Sequence, residues 1–274
     1  MSDEKTTFYE LDRMLLDVRV KDPVSPQEMV RPWLSVCVEH HSRAVVAWLV
    51  STQNTPQQAF ARLLHEAFSS SEDRPIGGIP QTLCIITDLK LSAQIQHVLH
   101  SMKVSIWSRG AQPTIKGKAE RFLSFIQARL LIVQEAGKSA TGSSSASSDD
   151  EDAELTYDAL KAFLQVLLRD YNSTPLDDTG RTRLSTLQED TSMRSADPDV
   201  LALLLQETRQ RRVMKRGILY HGETYWHSAL ASLLGKEVEI RVDEQDGVPQ
   251  TIEVFSSNQW IGTASRSSSL TNPV

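Results

Sequence analysis

The sequence predicts an α/β core of five strands with interleaved helices, followed by a small all-β barrel. Up to Tyr171, short alternating apolar runs give way repeatedly to segments with helical spacing. From Val213 the period changes to short strands broken by turns at Gly222, Asp246-Gly247 and Asn258. Within the first of these regions, Thr82 to Arg121 runs strand, acid, helix, strand, basic turn, helix, and the rest of the chain is organised around it.

Phe8 to Val20 alternates as a strand from Leu11 onward. Asp12 shares parity with Met14, Leu16, Val18 and Val20, so a carboxylate sits at the edge of an apolar face, whereas Asp17 shares a face with Arg13 and Arg19. Burying an acid without a partner is costly, which makes Asp12 the unusual residue of the two. Pro23 to Pro32 reads as a loop. Trp33 to Val38 and Ala44 to Val50 read as two strands joined by a hairpin through Glu39-His40-His41-Ser42-Arg43. Pro56 to Phe68 is helical, with Ala59, Leu63, Leu64 and Ala67 on one face. Leu83 to Ile86 is a strand ending near Asp88, and Val104 to Trp107 is another. Ala119, Phe122, Leu123, Ile126, Leu130 and Val133 make Lys116 to Gln134 a long amphipathic helix. Leu155 to Tyr171 is a helix packed through Leu160, Phe163, Leu164 and Leu167, and Asp197 to Leu205 is a short one.

The domain reading is a core over 1–175 with a Ser/Asp-rich loop at about 137–154, a polar surface linker with a short helix over 176–210, a barrel over 211–266 and a tail over 267–274. The net charge of −6 argues against nucleic acid as a partner, but its distribution does not. Five acids crowd into Asp149 to Glu154, while basic residues gather in Lys116 to Arg121 and Arg209 to Arg216. No apolar run approaches the roughly 20 residues of a membrane span, and MSDEKTT has no signal-peptide character. Cys37 and Cys84 lie inside apolar runs and read as reduced core thiols of a cytoplasmic protein. His40 and His41 near Cys37 lack a second ligand pair at zinc-finger spacing and read as hairpin residues; His97 and His100 read as exposed or capping residues. No Gly-rich phosphate loop, GxSxG elbow or dinucleotide fingerprint is present.

Two acids at the ends of rigid elements, Asp88 and Glu120, beside the cationic turn Lys116-Gly117-Lys118, suit a metal site that handles phosphates. The segment PTIKGKAERF (113–122), the hairpin RPWLSVCVEHHSRAVVAW (31–48), the DYNSTP segment (170–175) and the order of residues from Arg216 to Asp243 resemble the DDE transposase and retroviral integrase superfamily, the Mu-type bacterial transposases most closely. Leu89-Lys90 stands where that family has Asn-Gly, and Tyr9 and Met14 replace its Trp and Thr around Asp12. The resemblance implies a ribonuclease H-like core, a mixed five-stranded sheet flanked by helices, followed by the small C-terminal barrel of Mu-type transposases.

The resemblance further implies that Asp12, Asp88 and Glu120 are the catalytic carboxylates and hold two Mg2+ or Mn2+ ions, with Glu39 the competing first ligand. Arg109, Lys116, Lys118 and Arg121 would meet DNA phosphates beside that site; Arg209, Arg211, Arg212, Lys215 and Arg216, read as a linker helix entering the barrel, would meet them elsewhere. The activity implied is metal-dependent cleavage at a transposon end and strand transfer of the 3′-hydroxyl into target DNA, by a homo-multimer in the bacterial cytoplasm at the nucleoid. An accessory ATPase or target-selection protein is a further implied partner, and no membrane is. The end-reading helix-turn-helix domains of full-length relatives do not fit ahead of Asp12, so the chain is expected to be truncated or to rely on a separate recognition part. The rival readings are a non-catalytic DNA-binding or assembly module that keeps the fold, and a ribonuclease H-like nuclease acting on RNA–DNA hybrids.

Overall fold

The computed structural model describes residues 7–69, 77–86, 90–108, 117–141, 155–176, 178–189, 193–243, 248–256 and 259–267. The chain divides into two compact units, Met1–Leu201 and Ala202–Val274.

In the first unit, β1 (Phe8–Leu15) is followed by two-residue strands β2 (Val20–Lys21) and β3 (Met29–Val30), then by β4 (Trp33–Glu39) and β5 (Val45–Ser51). Helix α1 (Pro56–Phe68) opens with Pro at its first position, where a missing N–H removes no helical bond. Strand β6 (Thr82–Ile85), α2 (Ala93–Ser101), β7 (Ser105–Ser108), α3 (Lys118–Thr141), α4 (Tyr157–Ser173) and α5 (Arg183–Gln188) follow, with α6 (Pro198–Leu205) at the junction of the units. The sheet order is β5-β4-β1-β6-β7, with β4 and β5 antiparallel and β6 and β7 parallel to their neighbours. This mixed order is the ribonuclease H-like arrangement.

Strand parity decides what each sheet face meets. Asp12 pairs with Val36 and Glu10 with Val38, so these four share a face. Val36, Val38, Leu34, Leu16, Val18 and Val20 form one core with Ala119, Phe122, Leu123, Ile126 and Leu130 of α3 and Leu160, Leu164 and Leu168 of α4. The even-numbered side of β1 therefore lies under α3 and α4. On the other side, Tyr9 meets Phe68 of α1 at a ring separation of 6.4 Å. Asp17 is exposed and pairs with Arg31 of the Pro-rich loop at 3.3 Å, while the Arg13 guanidinium stacks 3.9 Å from the centroid of the Trp33 ring.

The DYNSTP segment serves the edge of the sheet. Asn172 Oδ1 accepts from the Val45 N–H at 3.0 Å, and its Nδ2 donates to the Val45 carbonyl at 2.9 Å. One side chain thus pairs both main-chain groups of a buried edge-strand residue, as a further strand would. Tyr171 packs its ring 4.7 Å from that of Phe122, and the Arg183 guanidinium stacks on Tyr171 at 4.0 Å.

Residues 176–196 differ from the surface linker expected of them. Helix α5 carries a capping box between Thr182 and Ser185 and buries Leu187. Arg194 donates to the carbonyls of Met102 at 2.8 Å and Pro80 at 3.1 Å, and the Ile79 N–H donates to the Arg194 carbonyl at 2.8 Å. These anchors are hydrogen bonds to distant backbone groups, which leave no apolar period in the sequence.

In the second unit, β8 (Gln206–Arg212), β9 (Ile218–Tyr220), β10 (Glu223–Trp226), a 3-10 turn (Ser228–Leu233), β11 (Glu237–Asp243), β12 (Thr251–Ser256) and β13 (Gln259–Arg266) form an antiparallel sheet in the order β8-β11-β12-β13-β10-β9. Packing of β8 against β9 brings its ends together, so the barrel is nearly closed. Its core contains Val213, Ile218, Tyr220, Tyr225, Leu230, Val238, Ile240, Val242, Ile252, Val254 and Ala264. The expected turn at Gly222 is present: His221 and Gly222 have φ of 47° and 80°, as a two-residue hairpin requires. The turns expected at Asp246-Gly247 and Asn258 lie outside the described residues. The Arg209–Arg212 part of the basic run read as a linker helix is instead in β8, which pairs with β11 from Gln206↔Asp243 to Arg212↔Glu237. Among the described residues, no helix is long and apolar enough to cross a membrane.

Replacing Asn172 by Ala leaves a buried N–H and C=O without their partner and is expected to destabilise the first unit by about 1–3 kcal/mol. Chemical denaturation of parent and variant checks this; equal midpoints would show that the edge does not need Asn172.

Candidate active site

Asp12 is 7% exposed, and its Oδ1 accepts from the Arg13 N–H at 2.8 Å. Glu120 is half-buried in the first turn of α3. The link between them is a residue to which no sequence motif points. Glu10, two positions before Asp12 on the same strand face, is 3% exposed and accepts from the Ala119 N–H at 3.1 Å through Oε2. The turn that carries Glu120 is thereby tied to β1 about 7 Å along the strand from Asp12. Asp88, the third expected carboxylate, lies outside the described residues, as do Arg109 and Lys116. Lys118 is half-buried and Arg121 exposed in the same first turn.

Glu39, the competing first ligand, is differently employed. It pairs with Tyr9 across β1 and β4, which puts it on the opposite sheet face from Asp12. Its carboxylate accepts from the His41 N–H at 2.9 Å, the Ser42 N–H at 2.6 Å and the Ser42 hydroxyl at 2.6 Å, closing the β4–β5 hairpin. His40 also has a structural partner, since its Nδ1 donates to Glu10 Oε1 at 2.6 Å. His97 and His100 are exposed on α2.

Both cysteines are buried thiols on separate strands, β4 and β6. Burial, with the nearby charges of Glu39 and Glu10 adding to it, pushes the Cys37 thiol well above its ordinary value.

Among the described residues, no three His, Cys, Asp or Glu side chains gather into a metal cluster. Asp12 and Glu120 are nevertheless the right donors for a hard divalent ion: both offer anionic oxygens, and Asp12 does so from a largely apolar face where a carboxylate is costly to bury. The donor set fits Mg2+ or Mn2+ and does not fit a soft metal.

In the barrel, Arg211 stacks over Tyr220 at 5.5 Å and Arg212 donates through Nε to the Gly235 carbonyl at 2.9 Å. Arg209 is exposed on β8, and Lys215 and Arg216 are exposed in the Met214–Gly217 turn. Gly217 holds a φ of 118°, and a Cβ there would lie 2.2 Å from the Tyr225 carbonyl oxygen, so only glycine closes this turn.

Residues 202–263 match the family described as Mu transposase, C-terminal. Over 272 residues the chain is 26% identical to the transposase for transposon Tn552 of Staphylococcus aureus, covering 96% of this chain and 54% of that protein. The chain is thus similar to a transposase over nearly its whole length, and to the Mu transposase C-terminal family over residues 202–263. The chain spans about half the length of the curated transposase it matches. Two solved structures align with the chain at low scores. The simian T-cell lymphotropic virus intasome in complex with PP2A regulatory subunit B56 gamma gives a TM-score of 0.41 at 12% identity, covering 96% of this chain and 79% of that chain. The catalytic core domain of BIV integrase gives 0.39 at 11% identity, covering 66% and 93%.

Because Cys37 keeps its proton in the folded state at pH values where the unfolded chain loses it, stability is expected to fall as pH rises above the ordinary thiol range. A Cys37→Ala variant lacks that decline. Unfolding temperatures measured for both proteins from neutral to alkaline pH check the difference; parallel curves would refute it.

Proposed function

We propose that the chain is the catalytic core and C-terminal barrel of a DNA transposase, with Asp12, Asp88 and Glu120 as metal-holding carboxylates. The observation that carries this reading is the placement of Asp12 and the first turn of α3 on one sheet face, joined through Glu10. The similarity to the Tn552 transposase and to the Mu transposase C-terminal family supports the same reaction class.

The three carboxylates would hold Mg2+ or Mn2+. When bound, a pair of such ions about 4 Å apart supplies Lewis acidity to the attacking and leaving oxygens of a phosphodiester. The chain's contribution is positional. The packing of α3 on the sheet would fix the turn that carries Glu120, while Asp12 sits on the central strand, whose neighbours on both sides limit its movement. Lys118 and Arg121, together with Arg109 and Lys116, would contact DNA phosphates beside the scissile bond. Arg209, Arg211, Arg212, Lys215 and Arg216 would form a second phosphate-binding surface on the barrel, with Lys215 and Arg216 presented by its exposed turn. The substrates are a transposon end and target DNA. The active species is a homo-multimer on paired ends, assisted by an ATPase or target-selection protein.

In a strand-transfer assay with magnesium, Glu120→Gln and Asp12→Asn are each expected to lower product by about a hundredfold or more, the scale of losing a group that stabilises developing charge. Equal product from parent and Glu120→Gln would remove the carboxylate mechanism. DNA binding without transfer in any of the proteins would leave a non-catalytic module. For the barrel, the double variant Lys215→Ala/Arg216→Ala is expected to weaken binding to all DNA sequences alike and to reduce the salt-dependence slope by about one for each phosphate no longer neutralised. An unchanged slope in fluorescence-anisotropy titrations would take that turn off the DNA surface.

A further inference from the structure

Glu10 is nearly inaccessible, yet both its oxygens are engaged by groups from different elements. Oε1 accepts from Nδ1 of His40, in the β4–β5 turn, at 2.6 Å, and Oε2 accepts from the N–H of Ala119, in the first turn of α3, at 3.1 Å. The His40 imidazole is itself steadied by an edge contact with the Phe8 ring at 5.1 Å. The first N–H groups of a helix have no partner within it, and a carboxylate there is favoured by the helix dipole. A carboxylate this deeply buried is costly unless bonded, so the clasp is held in one geometry.

We propose that Glu10 is a positioning residue. It ties the N-terminus of α3 to β1 and so determines where Glu120 stands relative to Asp12, while His40 sets the orientation of the Glu10 carboxylate. The inference rests on the proposed metal site. What the clasp requires is reach and two bonding atoms rather than negative charge. Glutamine has the same reach, keeps an oxygen for the Ala119 N–H and offers an amide to the imidazole. Aspartate keeps the charge but is one methylene too short to span both partners.

The test compares parent, Glu10→Gln, Glu10→Asp and Glu120→Gln by two measurements: amide hydrogen exchange at Ala119, and manganese binding followed by electron paramagnetic resonance. Glu10→Gln is expected to stay within about threefold of the parent in both, and Glu10→Asp to speed exchange at Ala119 and weaken manganese binding by about tenfold or more. The reverse order, with the aspartate variant like the parent and the glutamine variant impaired, overturns the proposal by making charge the requirement. Parent-like exchange and affinity in both variants overturns it as well. If Glu120→Gln binds manganese as the parent does, the metal reading fails. Exchange at Ala119 in Glu10→Asp then decides the clasp alone, fast exchange upholding it and slow exchange overturning it.

Discussion

The first turn of α3 must sit against the central strand of the sheet, and that packing is the constraint on which the rest of the core depends. Apolar residues of α3 from Ala119 to Leu130 supply the bulk of the adhesion, because they fill the even-numbered face of β1 and β4. Hydrophobic packing is non-directional, however, and it tolerates small slides of a helix along its groove. The Glu10 carboxylate adds direction at the end where it matters. From a position two residues before Asp12, it bonds the backbone N–H of the residue just before Glu120.

The polar groups of the core divide by what satisfies them. Glu39 is consumed by its own hairpin, with three donors from His41 and Ser42. Glu10 is shared among three elements. Asp12 has the N–H of its neighbour Arg13 on one oxygen and faces the apolar side of the sheet. The same division holds among the cations of the barrel. Arg211 is half-buried and stacks over Tyr220, whereas Arg212 stays exposed while bonding the Gly235 carbonyl, and Lys215 and Arg216 stand exposed in a turn that Gly217 alone can close. A run of basic residues in sequence is therefore not one uniform charged surface. Strand alternation and local hydrogen bonds sort it residue by residue.

Much of the architecture was legible because it is written in periods. The parity of Asp12 with Met14, Leu16, Val18 and Val20 anticipated the face under α3, and the spacing of Ala119, Phe122, Leu123, Ile126 and Leu130 anticipated the helix that covers it. What stayed hidden lacks a period. Asn172 clamps Val45 across more than a hundred residues of chain, and Arg194 bonds two distant carbonyls. Strand β8 was hidden by composition: QETRQRR holds no apolar alternation, and its place in the barrel comes from pairing with β11.

By itself, then, the sequence determined the order and type of most elements, the two-part division into α/β core and barrel, and which carboxylate lies on an apolar strand face. These follow from side-chain periodicity, a local property of the chain. Only the tertiary structure decided that Glu39 lies on the wrong side of the sheet to stand beside Asp12, and that Glu10 and His40 hold the helix bearing Glu120. Those outcomes depend on strand register and on contacts between residues far apart in sequence. No local pattern encodes either one.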